Sequence, residues 1–303
     1  MRDRNLWIGL LAGMSTGVFW GIPFLAPQIL PGYSAIELAF GRFFFFGVIS
    51  FLFIKPVWSI LSRMSWINLG KLFLLCASGF WFYSIVLFSG VQATDGIISS
   101  LMLGLLPITI PLFTRGRKHS GISFFFGLSV LLLGLLNLVF YPVLIGEKSV
   151  HSPSLGGAIL LLFALALWTG FAIKNTRFLQ RNTWIPRKDF ASVMGVVSII
   201  SILPFFLAKV DVVEFVHRDR FGIYLAISTA LGFGSSWLAN WLWNICSSNC
   251  PPEISGPLIV FETIFGLLYT FAYESRMPLG YEVASIALFL VGVLLTVRSQ
   301  MQK

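Results

Sequence analysis

Charge is what this sequence has least of. Only 11% of its 303 residues are Asp, Glu, Lys or Arg, whereas soluble domains carry about a quarter. A chain so poor in charge cannot cover a water-facing surface, and no stretch of it reads as a soluble catalytic domain. Histidine and cysteine are rarer still, at three each. His151 and His217 fall in polar loops and His119 in a basic one, with no ligand-like cluster around any of them, which argues against metal or histidine catalysis and against any cofactor. Cys76, Cys246 and Cys250 are odd in number and sit in or beside apolar runs, so ordinary packing is favoured over a disulfide or a metal site. There is no GxxxxGK[ST] loop to cradle phosphates, which argues against ATP hydrolysis by this chain. These absences point away from an enzyme.

What is abundant is apolar surface, at 57% of residues. It falls into ten runs: Leu6 to Ala26, Ser34 to Ile54, Ile67 to Gly90, Gly96 to Phe113, Ile122 to Val143, Leu155 to Ile173, Phe190 to Ala208, Phe221 to Asn244, Ile254 to Ala272 and Leu279 to Val297. Each approaches the roughly 20 residues that a bilayer-spanning helix needs. The sequence therefore predicts an all-α integral membrane protein of ten transmembrane helices. The net charge of +9 lies in short loops rather than in a basic domain, so it is read as a topology signal and not as a nucleic-acid surface. With the N-terminus inside, fifteen of the 21 cations, from Arg2 to Lys303, fall on inner segments, and five (Lys148, Lys209, Arg218, Arg220 and Arg276) fall on outer loops. That asymmetry predicts cytoplasmic termini. The first run has no small-x-small cleavage site after it and is expected to be a retained span.

Polar residues within the runs carry the functional reading. Glu262 lies near the middle of Ile254 to Ala272, where a carboxylate costs about 2.5 to 3.5 kcal/mol and should face a partner or an aqueous cavity. Arg42, within IELAFGRFFFFG, is as costly; a structural pairing with another helix and a substrate contact both remain open. Glu37 precedes it by five residues, a poor spacing for a pair on one helix face. The first run places Gly13, Thr16, Gly17, Trp20 and Gly21 at helical spacing. The glycines suit close packing, while the Trp20 indole suits either packing or a polar cavity. Tyr83 continues a stripe with Cys76, Gly79, Phe80 and Ser84, and Asp95 has the form of a helix N-cap. Pro107 is expected to interrupt the fourth run and free a carbonyl near Leu103. Trp168-Thr169-Gly170-Phe171 echoes Trp20-Gly21. Trp237, Asn240, Trp241 and Asn244 form the densest polar and aromatic stripe, read as a cavity wall or, with Trp243, as an interfacial belt.

Ten spans divide into halves of five, 1–145 and 146–303, and an odd number of spans inverts the second half. Leu106-Pro107-Ile108 aligns with Glu262-Thr263-Ile264 at an offset of 156. Inverted repeats of this kind mark secondary transporters, with the substrate site near the midplane.

At these residues the chain resembles the EamA-type family of the drug/metabolite transporter superfamily. The likeness covers essentially the whole sequence: Gly17-Val-Phe-Trp20-Gly21, Arg42-Phe43, Leu106-Pro107, Glu262, Tyr273-Glu274 and Gly292-Val293. Thr263 stands where a proline commonly follows the acid, and Lys118 where the first half would carry an acid like Glu274. The resemblance implies a bacterial inner-membrane carrier of small metabolites, often an exporter of amino acids, whose two halves enclose a central cavity. It selects Trp20, Tyr83, Trp168, Trp237, Asn240, Trp241 and Glu262 as substrate-facing. Glu262, Arg42, Glu37 and Glu274 are candidates for coupling or gating, with a proton as the candidate coupling ion. The expected partners are a small amino acid or amine and membrane lipid. An uptake carrier or an exchanger is the alternative within the same class.

Overall fold

In the computed structural model residues 2–115, 122–144, 154–250 and 256–301 are described. The loops holding Lys118 and His119, and His151, lie outside them, as does the start of the ninth run. The described residues are helical and include no strand. The main helices are α1 (Asn5–Ile29), α2 (Ala35–Phe51, continued by Ile54–Leu61), α3 (Trp66–Ala93), α4 (Gly96–Ile110), α5 (Ile122–Tyr141), α6 (Leu155–Arg181), α7 (Asp189–Lys209), α8 (Phe221–Ser247), α9 (Val260–Tyr273) and α10 (Gly280–Thr296). Six of them, α1, α3, α5, α6, α7 and α8, are long and apolar enough to cross a bilayer, and α2 with its continuation makes a seventh. The apolar helices α4, α9 and α10 are shorter.

The interruptions have local causes. The helix of α1 ends at Trp20, a 3₁₀ turn covers Ile22–Phe24, and helix resumes at Ala26. Pro23 and Pro27 sit at the starts of the two new pieces, where their missing N–H is no loss. α2 bends by 96° after Phe51. Its continuation carries Pro56 in the first turn and lies with Val57 and Ile60 buried and Trp58 exposed, so the sequence run to Ile54 overstates the straight part. α4 stops at Leu103 and restarts at Leu106, with Pro107 at the second position of the new piece. Asp95 caps α4 by accepting from the Ile98 backbone N–H at 2.8 Å. α3 and α8 each contain a π-helical stretch, Ala77–Trp81 and Ala230–Leu238. Such stretches shift the side chains that follow them onto another face.

Packing among the helices has a regular form. The principal pairs are α5 with α10, α2 with α7, α2 with α8, α3 with α7, α4 with α9, α1 with α8, α3 with α6, α1 with α9 and α4 with α6. Exchanging each helix for the one five places along returns the same set, α1–α8 becoming α6–α3 and α1–α9 becoming α6–α4. The two π-helical stretches also fall in exchanged helices, α3 and α8. Around this bundle large apolar side chains such as Phe126, Leu162 and Leu294 are exposed, as a lipid-facing surface requires.

Candidate functional site

The site is assembled where α1, α2, α3, α6, α8 and α9 meet. Its foundation is the glycine face of α1. A Cβ on Gly17 would fall 2.5 Å from the Phe261 Cβ and 3.0 Å from the Glu262 backbone nitrogen, and one on Gly21 would fall 2.8 Å from the Gly266 nitrogen. The close-packing reading of these glycines is therefore the observed one, and it seats the first turn of α9 directly on α1. Glu262 lies in that first turn, just after a 3₁₀ turn at Gly256–Ile259. The N-terminal end of a helix dipole favours a carboxylate there.

Arg42 on α2 is 5% exposed, and its guanidinium is held from both halves of the chain. Its Nε donates to Ser236 Oγ at 2.9 Å, Nη1 to Ser84 Oγ at 3.2 Å and Nη2 to Ser235 Oγ at 3.3 Å. Two successive serines reach one guanidinium because they lie in the π-helical stretch of α8. The carbon of the same guanidinium stands 5.4 Å from the Phe43 ring centroid. Arg42 and Glu262 are close enough for their charges to interact, and the neutral Tyr83 hydroxyl lies near both. The pairing role for Arg42 is thus realised through hydroxyls, with Glu262 as its electrostatic neighbour.

Aromatic rings enclose this charged group. Tyr83 lies 4.9 Å from Trp168, Trp168 lies 6.5 Å from Trp20 in an edge-on arrangement, and Trp20 lies 5.3 Å from Trp243. Phe171 continues the row at 5.1 Å from Trp168. Beside it the Thr169 and Thr109 hydroxyls share a 2.9 Å hydrogen bond between α6 and α4. Rings of this kind can stack on an organic solute and can hold a cation against their faces, while Glu262 can receive an ammonium group or a proton.

No protein-family model matches the chain. It is 27% identical over 317 aligned residues to inner membrane protein YtfF of Escherichia coli strain K12, covering 97% of this chain and 96% of that one. It is 24% identical to the uncharacterized transporter YdfC of Bacillus subtilis strain 168, covering 91% and 92%. A solved crystal structure, described only as that of a protein, shares the fold with a TM-score of 0.66 at 15% identity, over 97% of this chain and 98% of its own. The chain is similar to bacterial multi-helix membrane proteins of the transporter class.

The residues singled out in the sequence separate into groups. Trp20, Tyr83, Trp168 and Glu262 come together around Arg42. Asn240 lies at the margin, donating to the Ser236 carbonyl, one turn back on its own helix, and so braces a residue that binds Arg42. Trp237 and Trp241 depart from the expected wall. Trp237 stacks between Phe53 and Phe233 at 5.6 and 6.0 Å and donates to Ser192 Oγ at 3.4 Å, in the seam of α2, α7 and α8. Trp241 is 46% exposed. The reason is helical phase. Ser236, Asn240 and Trp243 recur at four and three and face the cluster, whereas Phe233, Trp237 and Trp241 recur at four and face away. Ser235 and Ser236 are the residues that sequence reasoning passed over; Ser84 lies on the stripe with Tyr83, and Trp243, read as a belt residue, belongs to the cluster through its spacing from Ser236.

Glu37 and Glu274 are remote from this cluster, and Glu37 does not pair with Arg42. Glu37 closes a capping box with Ser34 and binds Arg218 Nη1 at 2.8 Å. Arg218 also donates to the Gly32 carbonyl at 3.2 Å and to Glu214 at 3.1 Å. Burial opposes the charge of Arg218, but Glu37 and Glu214 outweigh it and hold the guanidinium pKa above its ordinary value. Glu274 binds Arg276 Nε at 2.7 Å, and both Arg276 Nη atoms reach the fully buried Glu282 at 2.7 Å. The hydrogen bonds that Arg276 donates to Glu282 hold its guanidinium far above the ordinary pKa. Both arginines are permanent cations. Cys76, Cys246 and Cys250 are free and buried.

Proposed function

We propose that the chain is a secondary transporter of the EamA type that moves small metabolites, amino acids or related amines, across the bacterial inner membrane by alternating access, with export as the direction. In this reading all ten helices cross the membrane with both termini cytoplasmic, and the halves 1–145 and 146–303 are inverted five-helix repeats. The packing set that survives exchange of α1–α5 for α6–α10 supports the repeat, and inverted repeats place a solute site between the halves. The names of the relatives support transport rather than enzymatic chemistry.

The observation that carries the proposal is the group made by Arg42, Tyr83 and Glu262 at the junction of the halves, walled by Trp20, Trp168 and Trp243. Glu262 receives the solute ammonium, or a proton that exchanges with it, and the rings enclose the organic part. Arg42 is fixed by serines from both halves and holds the charge of Glu262 in register with them. Rocking of one half against the other then exposes the same carboxylate to each side.

Purified protein in liposomes, presented with labelled amino acids and amines with and without a pH gradient, tests the reading. Accumulation that depends on Glu262 is expected. Glu262→Gln moving every solute at the wild-type rate with an unchanged pH response would overturn the assignment of that residue. A wild-type protein that moves none of the panel would overturn the substrate class. Net entry rather than exit would select the uptake or exchange alternative.

A further inference from the structure

A second feature lies at the end of the bundle where α3 begins and α6 finishes. The two helices are close at their other ends, where a Cβ on Gly90 would meet Leu161 at 2.7 Å and one on Gly157 would meet Thr94 at 2.6 Å. Toward Lys71 and Arg181 they diverge and leave a groove of about 410 Å³. Lys174, Arg177 and Arg181 line it from α6 at spacings of three and four, which puts them on one helical face. Lys71 faces them from α3. The floor is fixed by an amide pair, Asn68 Nδ2 donating to Asn182 Oδ1 at 3.2 Å, while Asn182 Nδ2 caps its own helix on the Phe178 carbonyl.

Four cations thus share one groove, no acidic residue is among those that line it, and among the described residues none of the four has an ion-pair partner. The tendency of inner loops to be basic accounts for the sign of this end. It does not account for convergence from two helices onto a fixed amide floor, and Lys55 and Arg63, on inner segments at the same end, are not in the groove. The upper wall is apolar, with Leu74 and Phe178, and Leu74 is open to the lipid-facing side. Cationic groups at the headgroup level beside an apolar wall fit an amphiphilic anion, and guanidinium forks match phosphate oxygens.

We propose that this groove is a phosphate-binding site, filled by the phosphodiester headgroup of an anionic lipid or by a soluble phosphate ester. Because α3 and α6 belong to different halves of the chain, the bound phosphate joins them at an end where the described polar links are few. The site is independent of the central cluster and stands or falls separately from the transport reading.

Native mass spectrometry of the full-length protein in detergent, titrated with phosphatidylglycerol and with phosphatidylcholine, tests it. Wild type is expected to hold phosphatidylglycerol at least tenfold more tightly than phosphatidylcholine. Lys174→Gln with Arg177→Gln is expected to abolish that preference, whereas Lys55→Gln with Arg63→Gln leaves it intact. Lys71→Gln with Arg181→Gln, one change on each wall, gives the same loss by a second route should the first pair fail to fold. Equal losses in the groove and control pairs, or none in either groove pair, would overturn the proposal. Competition by millimolar glycerol phosphate assigns a soluble ester as the source; failure to compete, with the groove pairs still defective, assigns the lipid.

Discussion

The two ends of the bundle solve the same problem in opposite ways. At the end that carries Arg218 and Arg276 every buried carboxylate meets a guanidinium of the chain itself, and Tyr33, stacked 4.7 Å from Tyr224, donates to the Asp219 carbonyl. At the end that carries Lys71 and Arg181 the cations face a groove with no acid in its lining. One end supplies its own counter-ions, and the other leaves its cations for a ligand. Within the first end a further difference matters. Arg218 joins Glu37 of the first half to the loop before α8, so its ion pair bridges the halves. Arg276, Glu274 and Glu282 all belong to the second half. The first pair is a latch between the halves of the chain, and the second is a brace within one.

The largest effect is expected at Arg42, where the two halves of the chain meet. Arg42→Ala removes three charge-assisted hydrogen bonds and leaves a buried void, for a loss of about 4 kcal/mol in denaturant unfolding and loss of transport in liposomes. Arg42→Lys should recover only part of both, since one ammonium cannot reproduce a planar fork reaching three serines. Wild-type stability and transport in Arg42→Ala would show that the halves are not tied through this residue.

Arg276→Gln and Arg218→Gln separate brace from latch. Arg276→Gln strips two 2.7 Å bonds from a fully buried Glu282 and is expected to cost about 3 kcal/mol while leaving counterflow exchange unchanged. Arg218→Gln is expected to cost less, about 2 kcal/mol, because it removes a single bond from Glu37, to which the Ser34 N–H and hydroxyl still donate. Only this second change should alter the rate of counterflow, by several-fold. If the two substitutions shifted exchange alike, the distinction between a latch and a brace would fail.

Much of this arrangement is legible in the sequence because apolar length alone marks a spanning helix. All ten runs correspond to helices among the described residues, six of them, or seven with the bent α2, long and apolar enough to span, and the cap at Asp95 and the break before Pro107 follow from turn chemistry that acts within four residues. Glu262 is legible because a carboxylate inside an apolar run needs a reason, although the helix begins at Val260 and puts it in the first turn rather than mid-span. Of the partners of Arg42, Ser84 lies on the stripe with Tyr83, but Ser235 and Ser236 give no signal. Serines are common and inconspicuous in apolar helices, and the π-helical stretch that turns Ser235 and Ser236 inward together responds to tertiary packing and leaves the apolar pattern nearly unchanged. The same hidden phase shift explains why Trp237 and Trp241 were expected to face the cluster and do not. The latch joins residues 181 positions apart, a pairing that no local pattern announces. The basic groove is visible only once Lys71 and Lys174 stand opposite each other.

The smallest effect tests the contrast between the ends from the other side. Asn68 and Asn182 provide a direct polar bond between the halves at the basic end, a neutral amide pair at 3.2 Å with Asn68 half-buried. Its loss in Asn68→Ala should cost about 1 kcal/mol, since water can replace the donor. Asn182 keeps its bond to the Phe178 carbonyl, so the floor of the groove persists and phosphatidylglycerol binding should weaken by no more than a few fold. Counterflow should be unchanged in lipid that fills the groove and should speed up when the lipid is zwitterionic, where neither amide nor phosphate then ties α3 to α6. Were Asn68→Ala instead to match Arg218→Gln in both stability and exchange whatever the lipid, the basic end would be latched by the protein itself, and the two ends would work alike.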